Sequence, residues 1–253
     1  MSGVDLGLAG RRALVTGGSR GIGRAIALRL AAAGVRVAIG YRADATAAGA
    51  VVDEIGDAGG QAFAVAADVS DPAAAAGLVA EAARLLGGLD VFVASAGVWP
   101  YESVPLSELT SDRWRRTLAV NLDGLFHTTR AAAAVLAEEG RVVLIGSTAG
   151  QRGEAGHADY AASKAALSGL VKSLAVELAP RGTTVNCVAP GWVDTDMCEE
   201  AFAGGGRARI EAGIPLGRIA DPDDIAGPTL FLCSALARHV TGTTLSVNGG
   251  AVL

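Results

Sequence analysis

The chain has 253 residues, 51% of them hydrophobic and 19% charged, a balance that excludes a disordered protein and leaves room for one large α/β domain or two small ones. Its 21 Lys plus Arg against 26 Asp plus Glu give a net charge of -5 with no basic run, which argues against nucleic acid as a partner. Apolar stretches such as 227–237 fall far short of the roughly 20 residues that cross a bilayer, and Met1-Ser2-Gly3-Val4-Asp5 lacks both regions of a signal peptide, so a cytoplasmic protein with no membrane partner is expected. Cys187, Cys198 and Cys233 are an odd number without C-x-x-C spacing, which argues against a disulfide framework and against a structural zinc site.

Short apolar runs predict strands over 13–16, 35–41, 62–66, 91–94, 141–145, 184–189 and 244–247. Between them lie Ala-rich helical patterns, as in Ala25, Leu28, Leu30 and Ala33. That alternation predicts an α/β fold with a parallel sheet covered on both faces, and without a long linker or repeat the whole of 1–253 reads as one domain.

The first crossover carries Gly17-Gly18-Ser19-Arg20-Gly21-Ile22-Gly23 between the first strand and a helix that runs to about Ala33. Glycines at 17, 21 and 23 let a phosphate approach the backbone, and the helix start supplies unpaired N–H groups, so Gly17, Ser19, Arg20, Gly21, Ile22 and Gly23 are expected to hold a pyrophosphate. The second strand ends at Tyr41-Arg42, where an NAD-binding fold usually places an acid for the ribose hydroxyls. Arg20 and Arg42 point instead to a 2'-phosphate and hence to NADP(H), against the alternative of two solvated loop arginines. Asp68-Val69 follow the third strand, where a carboxylate can accept from an adenine amino group, while Ser70 or Asp71 suits the next helix as its cap.

Ala94-Ser95-Ala96-Gly97 close the fourth strand with small residues that leave room for a ligand. In a helix predicted over 117–138, Asn121 stands among apolar residues, placed to bind a water, to bend the helix or to cap a kink. Ser147 closes the fifth strand, thirteen residues before Tyr160, and its hydroxyl can polarise a carbonyl oxygen that Tyr160 protonates. Tyr160 and Lys164 sit one helical turn apart. Alone the pair reads more readily as a surface Tyr and a solvated Lys; in this company the cation is expected to lower the phenol's pKa from its usual value near ~10.

Together these residues resemble the motifs of the short-chain dehydrogenase/reductase family, as in bacterial 3-oxoacyl-carrier-protein reductases and carbonyl or sugar dehydrogenases. The resemblance continues through Pro190-Gly191 and Thr241-Gly242 to Val247-Asn248-Gly249-Gly250. It implies a Rossmann-type, doubly wound, seven-stranded parallel sheet, a nicotinamide cofactor, and hydride transfer between that cofactor and a carbonyl or alcohol carbon. By it, Tyr160 exchanges the proton, Ser147 orients the substrate oxygen, Lys164 lowers the Tyr160 pKa and bonds the nicotinamide ribose, and Asn121 holds a relay water. Pro190, Gly191, Val193 and Thr195 would line the nicotinamide, with Ser95, Ala96 and Gly97 near its ribose. The chain departs from the pattern at Ala94-Ser95, where the family usually reads Asn-Asn, which puts cofactor affinity in question and leaves catalysis intact.

The expected activity is therefore NADPH-dependent oxidoreduction of a partly hydrophobic small molecule, such as a ketone, a quinone or a secondary-metabolite intermediate. A substrate lid is expected over 194–215, an apolar wall from Trp99, Tyr101 and Trp192, and polar contacts from Glu154, His157 and Asp159 at the pocket rim. One alternative is a 3-oxoacyl-carrier-protein reductase; against it, Glu138-Glu139 take the place before the fifth strand where basic residues would greet an acidic carrier, leaving Arg181 as the matching cation. A non-catalytic dinucleotide-binding regulator is the other, since a fold alone proves no chemistry. A homotetramer is expected from the family resemblance and from the apolar closing segment 244–253.

Overall fold

The structure is a computed structural model that describes residues 4–252. Each predicted strand forms: β1 (Arg12–Thr16), β2 (Arg36–Tyr41), β3 (Ala62–Ala66), β4 (Leu89–Ala94), β5 (Leu136–Ile145), β6 (Thr184–Pro190) and β7 (Thr244–Val247). They build one parallel sheet in the order β3-β2-β1-β4-β5-β6-β7. Alternate residues of a strand point to opposite faces, so an apolar run such as Leu14-Val15 serves two cores at once. Val15, Ile39 and Val93 pack on Ile26 and Leu30 of α1 (Gly21–Ala32), on α2 (Ala45–Asp57) and on α10 (Pro222–Cys233). Leu14, Phe92 and Leu144 face the other layer, α3 (Pro72–Leu86), α5 (Leu125–Val135) and α7 (Ala158–Leu178).

Helix starts differ in one respect that matters later. The Asp44 carboxylate accepts from Ala47 N at 2.9 Å and caps α2, and Asp71 accepts from Ala74 N at 2.7 Å and caps α3, which settles the choice between Ser70 and Asp71. Helix α1 begins at Arg20-Gly21 with no side chain bonded to its first N–H groups.

The single helix predicted over 117–138 is three pieces: α4 (Ser111–Leu118), a π-helical turn (Ala119–Gly124) and α5. Asn121 sits fully buried in that turn and marks the bend. The helix also stops three residues early, because Leu136 turns extended and pairs with Leu89 while Val91 already pairs with Arg141. The bulge between them holds Glu139 at a φ of 54°, and arginines collect the carbonyl groups it frees. Arg11 and Arg141 both donate to Glu139 O, at 3.0 and 2.6 Å, and Arg181 donates to Ala133 O at 2.8 Å.

Glu138 and Glu139 thus lie at the start of β5, and the parallel strands put Ser147 at its other end. The expectation that this pair faces a carrier at the mouth of its own site is corrected accordingly. Arg181 is occupied by Ala133 O and by the Glu138 carboxylate at 3.4 Å.

The sheet order reverses at β1, where β2 leads one way and β4 the other. Thr16 spans that gap, its buried hydroxyl accepting from Ser95 N and Ala96 N at 3.1 Å each. At the position where the family usually reads Asn-Asn, β1 thus supplies the contact that holds the end of β4. Thr16→Val keeps the shape and removes the acceptor from two backbone donors. A loss of ~1–3 kcal/mol in urea-unfolding free energy is expected, and a change below ~0.5 kcal/mol would show that water replaces the hydroxyl without cost.

Further helices complete the chain: a one-turn α6 (Ala149–Arg152) before α7, and short α8 (Glu199–Phe202) and α9 (Gly206–Ala212) inside the expected lid, separated by Gly204 and Gly205 at φ of 57° and 85°. Among the described residues no helix is long and apolar enough to cross a membrane.

Candidate functional site

A groove of about 360 Å³ runs along the carboxyl ends of the strands, from Arg42 and Asp68 to Tyr160 and Lys164. Every residue expected at the dinucleotide lines it: Gly17, Ser19, Arg20, Gly21, Ile22, Gly23, Arg42, Asp68, Val69, Ser95, Ala96, Gly97, Pro190, Gly191, Val193 and Thr195. The glycines are required by space. A Cβ on Gly17, at a φ of 67°, would lie 2.9 Å from Ala96 Cα, and one on Gly23 would fall onto the Gly17 carbonyl oxygen. With the first N–H groups of α1 uncapped, the turn presents donors and a positive dipole end to the groove, which fits a pyrophosphate.

At the outer end Arg20 and Arg42 are the cations. Arg20 Nη1 lies 3.8 Å from the Asp196 carboxylate at the start of the lid, with both side chains about 70% exposed, a loose contact that leaves the guanidinium open to a ligand. Asp44 also lines the groove, but its carboxylate is taken up as the α2 cap. Asp68 accepts from Ser70 N and Oγ at 3.0 and 2.6 Å, and these bonds hold its carboxyl below the usual range.

At the inner end, β5 delivers Ser147 and α7 delivers Tyr160 and Lys164. The Ser147 hydroxyl accepts from Ala149 N at 3.1 Å and stands beside the Tyr160 phenol in the groove. The Lys164 ammonium donates to Ile145 O at 2.9 Å and lies 5.9 Å from the centre of the Tyr160 ring, which fastens α7 to the end of β5. Burial pushes the Tyr160 phenol up to about 12, ahead of the opposing influence of the neighbouring Ser147 hydroxyl and with a further push from Glu154. The expected lowering by Lys164 is not what this structure shows. Burial acts on Lys164 as well and brings it down to about 8, against a smaller opposing pull from Cys187.

Asn121 stands behind the groove rather than in it. Its Oδ1 accepts from Val98 N and its Nδ2 donates to Val98 O, both at 2.8 Å, clamping the segment after β4. A Cβ on Gly97 would lie 3.2 Å from Asn121 Oδ1 and 3.5 Å from Lys164 Nζ, so Gly97 alone separates the amide from the ammonium. Sequence reasoning missed the link from Asn121 to α7: Nδ2 donates to Ser163 Oγ at 3.3 Å, and Ser163 Oγ donates to Tyr160 O at 2.7 Å.

A smaller cavity of about 70 Å³ shares Ser147, Tyr160, Gly191, Met197 and Cys198 with the groove. Trp99 and Trp192 meet edge to face at 5.7 Å as its wall, and Phe202 of α8 supports Trp192 at 6.1 Å. Tyr101, half-exposed and 6.2 Å from Trp99, is outside the cavity. Of the three polar residues expected at the rim, Glu154 alone lines it. His157 is buried behind Trp99, stacked at 4.9 Å. Asp159 faces away, taking bonds from Thr117 Oγ1 at 2.8 Å and Arg113 Nε at 3.1 Å; burial pushes its carboxyl up, and these bonds prevail and hold it below the usual range. Among the described residues no group of His, Cys, Asp or Glu is placed to hold a metal.

A doubly wound sheet whose first glycine turn and whose Ser-Tyr-Lys set lie at the two ends of one groove defines an oxidoreductase built around a dinucleotide. A family model described as Enoyl-(Acyl carrier protein) reductase matches residues 17–252, and the chain belongs to the short-chain dehydrogenase/reductase family. It is 41% identical over 244 residues to a 3-oxoacyl-[acyl-carrier-protein] reductase of Synechocystis sp., covering 95% of this chain and 96% of the relative. It is 40% identical to an L-rhamnose 1-dehydrogenase (NAD(P)(+)) of Azotobacter vinelandii, covering 94% of each chain. A short chain dehydrogenase from Burkholderia cenocepacia, solved in complex with NADP, superposes with a TM-score of 0.91 at 44% identity, over 96% of this chain and 98% of that one.

Proposed function

We propose that this protein is an NADP(H)-dependent oxidoreductase that interconverts a carbonyl and an alcohol on a partly hydrophobic small molecule. The observation that carries the reading is that the Ser147 and Tyr160 hydroxyls border both the long groove and the tryptophan-walled cavity, so a reacting carbon can meet both. The glycine turn and the Ser95-Ala96-Gly97 segment would hold a nicotinamide cofactor along the groove, and its chemistry would be the hydride for the carbonyl carbon in the reductive direction. Ser147 holds the substrate oxygen, and the Tyr160 phenol, protonated because burial raises its pKa, gives that oxygen its proton. Lys164, which lines the groove with Tyr160, would bond the nicotinamide ribose and return a proton towards Tyr160, and Asn121 would hold a relay water.

NADP(H) is supported by the cations at the adenosine end and by the relative solved with NADP. The carrier-protein reading is supported by the description of the matching family model and by the 41% identity to a 3-oxoacyl-carrier-protein reductase. The L-rhamnose dehydrogenase, at 40%, stands equally near and leaves a free small molecule as the better fit to a cavity of about 70 Å³. A homotetramer is supported by β7, a half-exposed edge strand, and by Phe126 and Val176 left on the outer faces of α5 and α7.

Tyr160→Phe should still bind NADPH, read by quenching of tryptophan fluorescence, while turnover falls by ~10²–10⁴, the usual contribution of a positioned acid. Turnover within about tenfold of wild type would remove Tyr160 from the chemistry.

Charge on Lys164 is lost as pH rises through about 8, whereas the phenol keeps its proton to about 12. The efficiency kcat/KM for reduction should therefore fall above pH about 8, and that for alcohol oxidation, which needs the phenolate, should keep rising. A reductive profile flat to pH ~10 would contradict the role given to Lys164.

In absorbance assays with NADPH and NADH, each against ketones, quinones and a carrier-bound 3-oxoacyl thioester, NADPH and the free carbonyl compounds should give the higher efficiencies. Equal use of both coenzymes would refute the arginine assignment, and a tenfold or larger preference for the carrier-bound thioester would replace the small-molecule reading. Light scattering should report about four times the chain mass of 25.2 kDa, and a monomer mass at working concentration would exclude the tetramer.

A further inference from the structure

The smaller cavity carries two charged groups that the chemistry just described does not use. Glu154 lines it together with Ser147 and Tyr160, its side chain 22% exposed, and Arg152 lines it from the end of α6. The carboxylate is poorly served by the protein. Trp99 lines the same cavity, and His157 Nδ1 stands 3.7 Å away, beyond hydrogen-bond reach and directed instead to Ala155 O at 3.3 Å. The exposed Arg152 side chain makes no hydrogen bond and no ion pair among the described residues. A half-buried carboxylate with so few donors is costly unless something else donates to it.

The neighbours narrow what that donor is. An ammonium group would meet Arg152 on the same wall, and an anionic substrate would meet Glu154 inside the cavity. A neutral hydroxyl satisfies both, because it can donate to Glu154 and accept from Arg152. Trp99 and Trp192 offer apolar faces to the C–H side of the same molecule. Glu154 lines the same cavity of about 70 Å³ as Ser147 and Tyr160, so a hydroxyl that it binds lies close to the reacting carbon.

We propose that Glu154 is the specificity-determining residue of this site, its carboxylate accepting a hydrogen bond from a hydroxyl one or two carbons from the reacting carbon. The substrate is then a neutral hydroxycarbonyl compound or the corresponding diol, and Arg152 is the second contact to the same hydroxyl. This rests on the oxidoreductase reading of the site. The redox step is unchanged: the carbonyl carbon accepts the hydride, its oxygen accepts the Tyr160 proton, and the neighbouring hydroxyl is bound but not altered.

The test compares hydroxyacetone with butanone, which match in heavy-atom count and differ by a hydroxyl in place of a methyl, using NADPH and the full-length protein. A hydrogen bond to a charged group is worth ~1.5–3 kcal/mol, so wild type should prefer hydroxyacetone by ~10–100-fold in kcat/KM, mostly through KM. Glu154→Gln should cut that preference to a few-fold or less, with NADPH binding by tryptophan fluorescence as the check on folding. Equal efficiency on the two ketones in wild type overturns the inference whatever the variant does. A preference that survives in Glu154→Gln overturns the assignment to Glu154. If wild type binds NADPH yet reduces neither ketone nor any other carbonyl compound, the oxidoreductase reading fails and takes this inference with it.

Discussion

The constraint on which the structure depends is the reversal of sheet order at β1. Parallel strands joined by crossover helices must place those helices on the two faces, and where the winding changes sense no connection covers the carboxyl ends of the strands. That uncovered line is the groove. The glycine turn, the small residues after β4 and the Ser147 hydroxyl are ends of neighbouring strands, gathered there by topology rather than by their spacing along the chain. Thr16 keeps β1 and β4 in register at the point where the opening would otherwise weaken the sheet.

Two polar groups buried against the sheet then fix the far end. Lys164 reaches the last carbonyl of β5, and Asn121 grips the backbone just past β4, so α7 and the π-helical turn are registered against adjacent strands. Each is an expensive burial made tolerable by specific partners. The same burial that costs stability sets the protonation states, holding the phenol as an acid and leaving the ammonium easy to discharge. Positioning and reactivity in this site thus share one physical origin, the removal of water.

Much of this was legible in the sequence. Central strands buried on both faces read as apolar runs, and all seven strands lie within two residues of their predicted ends except at the start of β5. The groove followed because its residues are strand ends and a glycine turn, both marked locally. What failed was whatever depends on direction or on depth. The helix through Asn121 was extended past Val135 because Leu136-Ala137 continue its apolar pattern, and nothing local announces that arginines from three separate segments will hold a bulge there. Asp159 adjoins Tyr160 in sequence, yet one helical step turns it by about 100° towards Arg113 and Thr117. The Tyr160 shift was expected from a neighbouring charge, which spacing reveals, and came from desolvation, which spacing does not.

The unguarded start of α1 has a consequence for the life of the protein between turnovers. Capping aspartates complete α2 and α3 from within the chain, whereas the helix at the centre of the sheet leaves its first donors to whatever enters the groove. A dinucleotide seated there would complete the fold as well as equip it, and any ligand that binds only the native state shifts the unfolding equilibrium, by ~2.7 kcal/mol at a hundredfold excess over Kd. Abundance of the intact protein would then follow the supply of its nucleotide, and a starved cell would clear the idle copies first.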